Sequence, residues 1–203
     1  KIAYVYTQPP KKKNRGQKLN FNPVYDFSVQ NNLQVKYPEK LETQEELEFI
    51  EKINPDVVVV VAYGKILPTK ILNISNIKFI NIHASLLPKW RGAAPIQRSI
   101  MNQDDETGVS IMKIVPKLDA GPVMMKNCVQ ISERTNFTEL SNKLSRLGSS
   151  MILKSLHLIE QNKAVFIDQN ENEATYAKKI EKKEAKISWN EKAKIILAKI
   201  NAL

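Results

Sequence analysis

Cysteine is nearly absent. Cys128 stands alone among 203 residues, which excludes an intrachain disulfide. His83 and His157 are the only histidines, too few beside one cysteine to build a zinc centre, and no metal is expected. Long apolar runs are also missing: the longest, residues 57–62, falls far short of the roughly 20 residues a membrane-spanning helix needs. No charged start followed by an apolar signal segment is present. Glycine is sparse, six in all, and none forms a GxGxxG fingerprint, so dinucleotide binding has no support. These absences point to a soluble chain of a reducing compartment, bacterial cytoplasm or organellar matrix, with Cys128 as a buried, inert thiol.

Positive charge is plentiful. A formal net charge of +10 suits a polyanionic partner such as RNA, although Lys, Asn and Ile are abundant throughout. Distribution carries more than the sum: residues 7–23 lack a hydrophobic period and gather Lys11, Lys12, Lys13, Arg15 and Lys18. A loop of that length inside a compact domain is functional or disordered, and this one follows a strand end, where open α/β sheets place ligands. An apolar content of 42% fits one substantial core with room for a small appendage.

Alternating helix and strand signals predict an α/β chain. Residues 2–6 read as a strand, 24–32 as a short helix and 34–37 as a brief strand. Thr43 and Glu46 have capping-box spacing, opening a helix that Asn54-Pro55-Asp56 stops. Residues 57–62, continuously apolar and β-branched, predict a central parallel strand covered on both faces, forming a crossover unit with that helix. Residues 78–82 predict a second central strand, 94–101 a helix admitting Pro95 in its first turn, and 107–115 with 123–131 a strand pair. Asn136 can cap a long helix whose Leu140, Leu144, Leu147 and Met151 form a core stripe, with His157 structural or exposed on it. Residues 164–167 suggest an edge strand, 175–189 a linker, and 190–203 an amphipathic helix turning Ile195, Ile196 and Ile200 inward.

The most informative stretch is Asn81-Ile82-His83 and the turn after it. On an extended backbone Asn81 and His83 project from one face, so that face of the strand end is polar. Downstream, Asp119 sits in a turn punctuated by Pro116, Gly121 and Pro122. Asn81 alone could tie up a loop, and His83 alone could be structural. Together with residues 85–95, beginning Ser85-Leu86-Leu87-Pro88, they resemble the signature of the folate-dependent formyltransferases. Thr7-Gln8-Pro9-Pro10, Asn54-Pro55-Asp56, Tyr63-Gly64-Lys65, Thr175-Tyr176-Ala177 and Ile187-Ser188-Trp189 extend the resemblance over nearly the whole chain. The basic loop, Pro10-Lys11-Lys12-Lys13-Asn14-Arg15-Gly16, departs from the pattern, since the family more often has an acid after the first Pro and a glycine before the arginine.

The resemblance implies a Rossmann-like, parallel-core sheet flanked by helices. It implies a catalytic domain over 1–174 that lacks its first strand-helix unit, and at 175–203 a linker and the start of a largely omitted tRNA-binding β-barrel. It implies formyl transfer from 10-formyltetrahydrofolate to the amine of methionyl initiator tRNA, without a metal, by a chain expected to be monomeric. Asn81, His83 and Asp119 would be catalytic: two donors for the oxyanion, and an acid that fixes the His83 tautomer and relays a proton. Ser85, Leu86, Leu87 and Pro88 would contact the folate, with Tyr63 and Gly64 at the pterin. Arg15, with Lys11, Lys12, Lys13 and Lys18, would enter the groove of the acceptor stem. Rival readings keep the chemistry with glycinamide ribotide, an amino sugar or water as acceptor, or keep only RNA binding.

Overall fold

The structure, a computed structural model, describes residues 1–13 and 18–203. The chain divides into two compact units, 1–79 and 80–203.

In the first unit, β1 (Val5–Tyr6) leads to a hairpin that periodicity did not reveal, β2 (Lys11–Lys13) paired antiparallel with β3 (Lys18–Asn20). Lys-rich strands carry no apolar alternation, so backbone pairing alone defines them. Helix α1 (Pro23–Gln30) is capped by Asn22, whose Oδ1 accepts the Tyr25 N–H at 3.1 Å, with Pro23 in the first turn. It returns the chain to β4 (Val35–Lys36), parallel to β1, so β1–α1–β4 is the parallel crossover here.

Helix α2 (Gln44–Ile53) begins where Thr43 Oγ1 accepts the Glu46 N–H and ends at Asn54 in the left-handed region, φ 46°. The reciprocal half of the predicted capping box does not form. Glu46, buried, instead accepts from the Tyr6 hydroxyl at 2.8 Å and pairs with Lys36 Nζ at 2.7 Å. Lys36 Nζ also lies 3.7 Å from the Phe49 ring centroid. Burial and the Glu46 hydrogen bond push the Tyr6 phenol well above its ordinary pKa. Strand β5 (Val57–Val60) follows, then the short α3 (Thr69–Leu72). β5 is not covered on both faces as expected: Val59 and, just beyond it, Val61 are exposed.

Strand β6 (Lys78–His83) runs across the division between the units. In the second unit come β7 (Arg91–Gly92), α4 (Pro95–Met101), β8 (Glu106–Lys113) and β9 (Val123–Gln130). β6 pairs antiparallel with β8, and β8 with β9, so this unit is built on antiparallel pairs where the first carries a parallel one, and the chain is mixed α/β. Register opposes Asn81 to Met112, Ile82 to Ile111 and His83 to Ser110, and opposed residues share a face. The Ile82 face is covered by α5 (Phe137–Glu160), whose Gly148 lies so close that an added Cβ would stand 3.0 Å from Ile82 Cγ2. Leu140, Leu144 and Met151 on α5 are buried, as their spacing predicts, and His157 is exposed. Asn136 Oδ1 caps α5 by accepting the Glu139 N–H at 3.0 Å.

Several expectations are corrected in this unit. Cys128 is exposed: β9 is the end strand beyond β8, and Lys126, Asn127 and Cys128 are exposed in succession on both of its faces. Residues 164–167 contribute a single bridge, Ile167 to Val123, rather than a strand. Residues 175–189 are not a plain linker: β10 (Tyr176–Ala177) pairs parallel with β7, and Arg98 grips Glu184 with two hydrogen bonds at 2.7 and 3.1 Å.

The final helix, α6 (Ala193–Ala202), packs on α4. Ala198 and Ala202 are its buried residues, whereas Ile195 and Ile200, expected inward, are exposed. Small side chains one turn apart let the two helix backbones approach closely, and that rotation turns the larger residues out.

Candidate active site

The polar end of β6 has the predicted geometry. Asn81 and His83 share the face opposite α5, with Ser110 and Met112 beside them on β8. Asn81 is half-buried, and its side-chain amide is engaged by none of the described hydrogen bonds. His83, buried, sits at the strand's last position.

Two contacts define the imidazole. His83 Nε2 lies 2.9 Å from the Trp90 carbonyl, which can only accept, so Nε2 carries a proton. His83 Nδ1 faces Asp119 Oδ2 at 3.7 Å. The tautomer is therefore fixed by the Trp90 carbonyl rather than by Asp119, as the sequence reading had it. A backbone acceptor seven residues away in a turn leaves no mark in the pattern of residue types.

The turn 84–92 is tied down from within. Ser110 Oγ donates to the Ser85 carbonyl at 2.7 Å and accepts the Leu87 N–H at 3.0 Å. Ser85 Oγ donates to the Lys89 carbonyl at 2.6 Å, and the Lys126 ammonium donates to the Leu87 carbonyl. Ser85 is fully buried and Leu87 packs with Met112 and Val123, so both side chains serve the interior. Pro88 is buried as well. Leu86 is half-buried over Gly108, where an added Cβ would stand 2.5 Å from its Cδ2.

The same turn is strapped from outside. Trp90 N–H donates to Thr175 Oγ1 and Arg91 N–H to the Thr175 carbonyl, each at 2.8 Å. Ala93 and Ala94 donate to the Ala177 carbonyl at 2.8 and 3.2 Å. Gly92 has φ 115°, and its absent Cβ would stand 2.8 Å from Ala177 O, so only glycine fits.

Asp119 is held by its neighbours. Its Oδ2 accepts the Gly92 N–H at 2.8 Å. Its own carbonyl accepts from Gln169 Nε2 at 2.8 Å, and the Gly121 carbonyl accepts from the same amide at 2.7 Å. Gln169 Oε1 accepts from Arg91 Nε and Nη2 at 3.1 and 2.9 Å. Arg91, wholly buried, makes a two-pronged pair with Glu171 at 2.9 and 3.1 Å, and Lys117 Nζ reaches Glu171 at 2.6 Å. Hydrogen bonds from Arg91, then from Lys117, hold the Glu171 carboxyl at a pKa of about 2. Arg91, Gln169 and Glu171 escaped sequence reasoning. Arg91 lay inside the recognised stretch, but nothing local marks Gln169 among polar neighbours.

The remaining predicted residues lie in the first unit. Tyr63 offers its carbonyl to Gln8 Nε2 at 2.7 Å, and Gly64 has φ 73°. Burial, then the Glu46 charge, raises the Tyr63 phenol pKa, and its hydroxyl has no partner among the described residues. Lys11 is exposed on β2, and the backbones of Lys12, Lys13 and Lys18 complete the hairpin. Arg15 lies outside the described residues.

A mixed α/β chain with an Asn-x-His strand end and an aspartate turned toward the histidine defines a class, and residues 1–156 match the family described as Formyl transferase. The chain belongs to that family. Methionyl-tRNA formyltransferase of Pelagibacter ubique is 50% identical over all 203 residues, and that of a Sulfurihydrogenibium species 48%. The chain spans 66% and 65% of those two proteins' lengths. Among solved structures, a sugar N-formyltransferase from a Shewanella species superposes with TM-score 0.73 at 19% identity, covering 90% of this chain and 71% of that one. HypX from Aquifex aeolicus, in complex with tetrahydrofolic acid, superposes with TM-score 0.71 at 17% identity, over 98% of this chain and 34% of its own. At these identities the likeness shows the fold. No described helix is long and apolar enough to cross a membrane.

Proposed function

We propose that the chain belongs to an enzyme that transfers the formyl group of 10-formyltetrahydrofolate to the α-amino group of methionyl initiator tRNA. The observation that carries this reading is His83 Nδ1 facing Asp119 Oδ2 at 3.7 Å, beside Asn81 on the same strand face. The 50% identity to a methionyl-tRNA formyltransferase supports this acceptor over small amines.

Attack of the amine on the formyl carbon creates a tetrahedral centre bearing an oxyanion. The Asn81 amide donates to that oxygen, a contribution worth roughly 3 to 4 kcal/mol of barrier. With Nε2–H given to Trp90, the neutral His83 ring has its lone pair at Nδ1, toward Asp119. The amine's proton passes to this pair, and Asp119 stabilises the imidazolium so formed. Protonated at Nδ1, the ring returns the proton to the departing folate nitrogen. Main-chain groups of the 85–88 turn and the Leu86 side chain contact the folate. Lys11, Lys12, Lys13, Arg15 and Lys18 hold the acceptor stem through its phosphates.

The test is transfer of labelled formyl to methionyl initiator tRNA, glycinamide ribotide and an amino-sugar nucleotide in parallel, by the intact natural protein. Transfer to the tRNA is expected, lost at the chemical step in His83→Ala. In Arg15→Ala, tRNA affinity weakens and depends less steeply on salt. Preference for a small acceptor, or salt-sensitive tRNA binding without transfer, overturns the reading.

A further inference from the structure

Asp119 adopts φ 45°, a left-handed conformation that is uncommon outside glycine, so something must hold the 119–121 turn in place. The only described side chain that spans the turn is Gln169, whose one NH2 group donates to both the Asp119 and the Gly121 carbonyls. An amide can be flipped, and the direction of this one matters. Arg91 Nε and Nη2 have no acceptor capacity, so they require the oxygen of Gln169 on their side and send its nitrogen toward the turn. Arg91 is itself immobilised, wholly buried and paired through two hydrogen bonds with Glu171.

Resting on the catalytic roles proposed for Asp119 and His83, we infer that Gln169 is a positioning residue for the reaction. Its amide, oriented by Arg91 and Glu171, clamps the backbone of the 119–121 turn and so sets the Asp119 carboxylate against His83 Nδ1. The second anchor of that carboxylate, the Gly92 N–H, comes from the residue next to Arg91, so the aspartate is held at its backbone through the Arg91 side chain and at its carboxylate through the adjacent main chain. Gln169 does not touch the reacting atoms. Its effect is on where Asp119 stands.

The chemistry of the amide supplies a discriminating substitution. Gln169→Glu keeps oxygen acceptors for Arg91 and loses the two N–H donors to the turn, whereas Gln169→Leu loses both functions. A residue that merely satisfies Arg91 would tolerate glutamate. A positioning residue would not.

The experiment uses the natural protein and two readouts. First, ring 15N and 13C signals of His83 are recorded in the parent and in the Gln169→Glu, Gln169→Leu and Asp119→Asn variants, with His83→Gln and His157→Gln to assign the signals of these two histidines by their loss. Gln169→Glu and Gln169→Leu are expected to move the His83 signals as Asp119→Asn does, leaving those of His157 in place. Second, in formyl transfer to methionyl initiator tRNA, Gln169→Glu is expected to lower kcat at least tenfold with KM for the folate donor within about twofold. His83 signals unchanged in Gln169→Glu, in a protein as folded as the parent by circular dichroism, overturn the positioning role. Since the spectroscopic arm needs no turnover, a parent inactive on this tRNA would sink the proposed function while leaving the clamp to be judged by the His83 signals.

Discussion

The His83 Nε2 proton is spent on the Trp90 carbonyl, 2.9 Å away, in a turn whose own backbone is held by Thr175. The nitrogen left facing Asp119 is therefore Nδ1. The orientation of the ring toward the aspartate thus depends on the backbone of a separate turn.

Ser110 is the internal tie of that turn. Its hydroxyl donates to Ser85 O and accepts from Leu87 N, and the serine is fully buried. Ser110→Ala strands both backbone groups without water and should cost about 2 kcal/mol, read as a lowered urea midpoint with an unchanged denaturant slope. Formyl transfer should fall with it, since the turn carries the Trp90 carbonyl.

Gly92 is the external one. Gly92→Ala meets both a φ of 115° and a Cβ position 2.8 Å from Ala177 O, backbone that cannot swing aside. Strain of about 1 to 3 kcal/mol is expected, visible as a thermal midpoint lowered by several degrees. Activity should fall further than stability does, because the same residue's N–H anchors Asp119.

Acid titration separates the Arg91 clamp from the rest of the molecule. The Glu171 carboxyl, held by Arg91 and Lys117 at about 2 against an ordinary 4.5, has its folded pKa depressed. Its contribution is then fully present above pH 4.5, declines as pH falls below that value, and is gone once pH has passed through about 2. Comparing thermal midpoints of the parent and Glu171→Gln from pH 7 to pH 2 should show a gap that is constant at the neutral end and closes toward the acid end. A gap independent of pH would mean that the carboxylate charge contributes nothing.

Helix α6 offers a contrast that reverses the expectation from residue type. Ala198→Leu forces a large side chain into the close contact with α4 and should destabilise by about 1 to 3 kcal/mol. Ile200→Lys, at a position 54% exposed, should change stability by no more than about 0.5 kcal/mol. Equilibrium urea unfolding of the two variants checks both.

Local signals in the sequence located what local forces determine. The caps at Thr43 and Asn136, the leucine stripe of α5 and the polar face of Asn81 and His83 were all legible, since each depends on residues within one or two turns of one another. The resemblance brought Asp119 to His83, which spacing alone could not. What stayed hidden was decided at long range or by size. The β2–β3 hairpin has no apolar alternation, the burial of Ala198 reflects how near α4 can come, and Cys128 is outside because β9 is open where it sits. Glu46 was read as a local cap and is held instead by Tyr6 and Lys36.

The groups that orient the histidine and aspartate arrive late. Gln169, Glu171, Thr175 and Ala177 stand some eighty positions after the turn they secure, as the sequence separations of the Arg91 and Trp90 hydrogen bonds record. A ribosome adding about 5 to 20 residues per second reaches them several seconds after His83 has been made. Through that interval the growing chain carries His83 without the contacts that align it with Asp119, and that alignment is complete no earlier than the emergence of residue 177, when β10 can close beside β7.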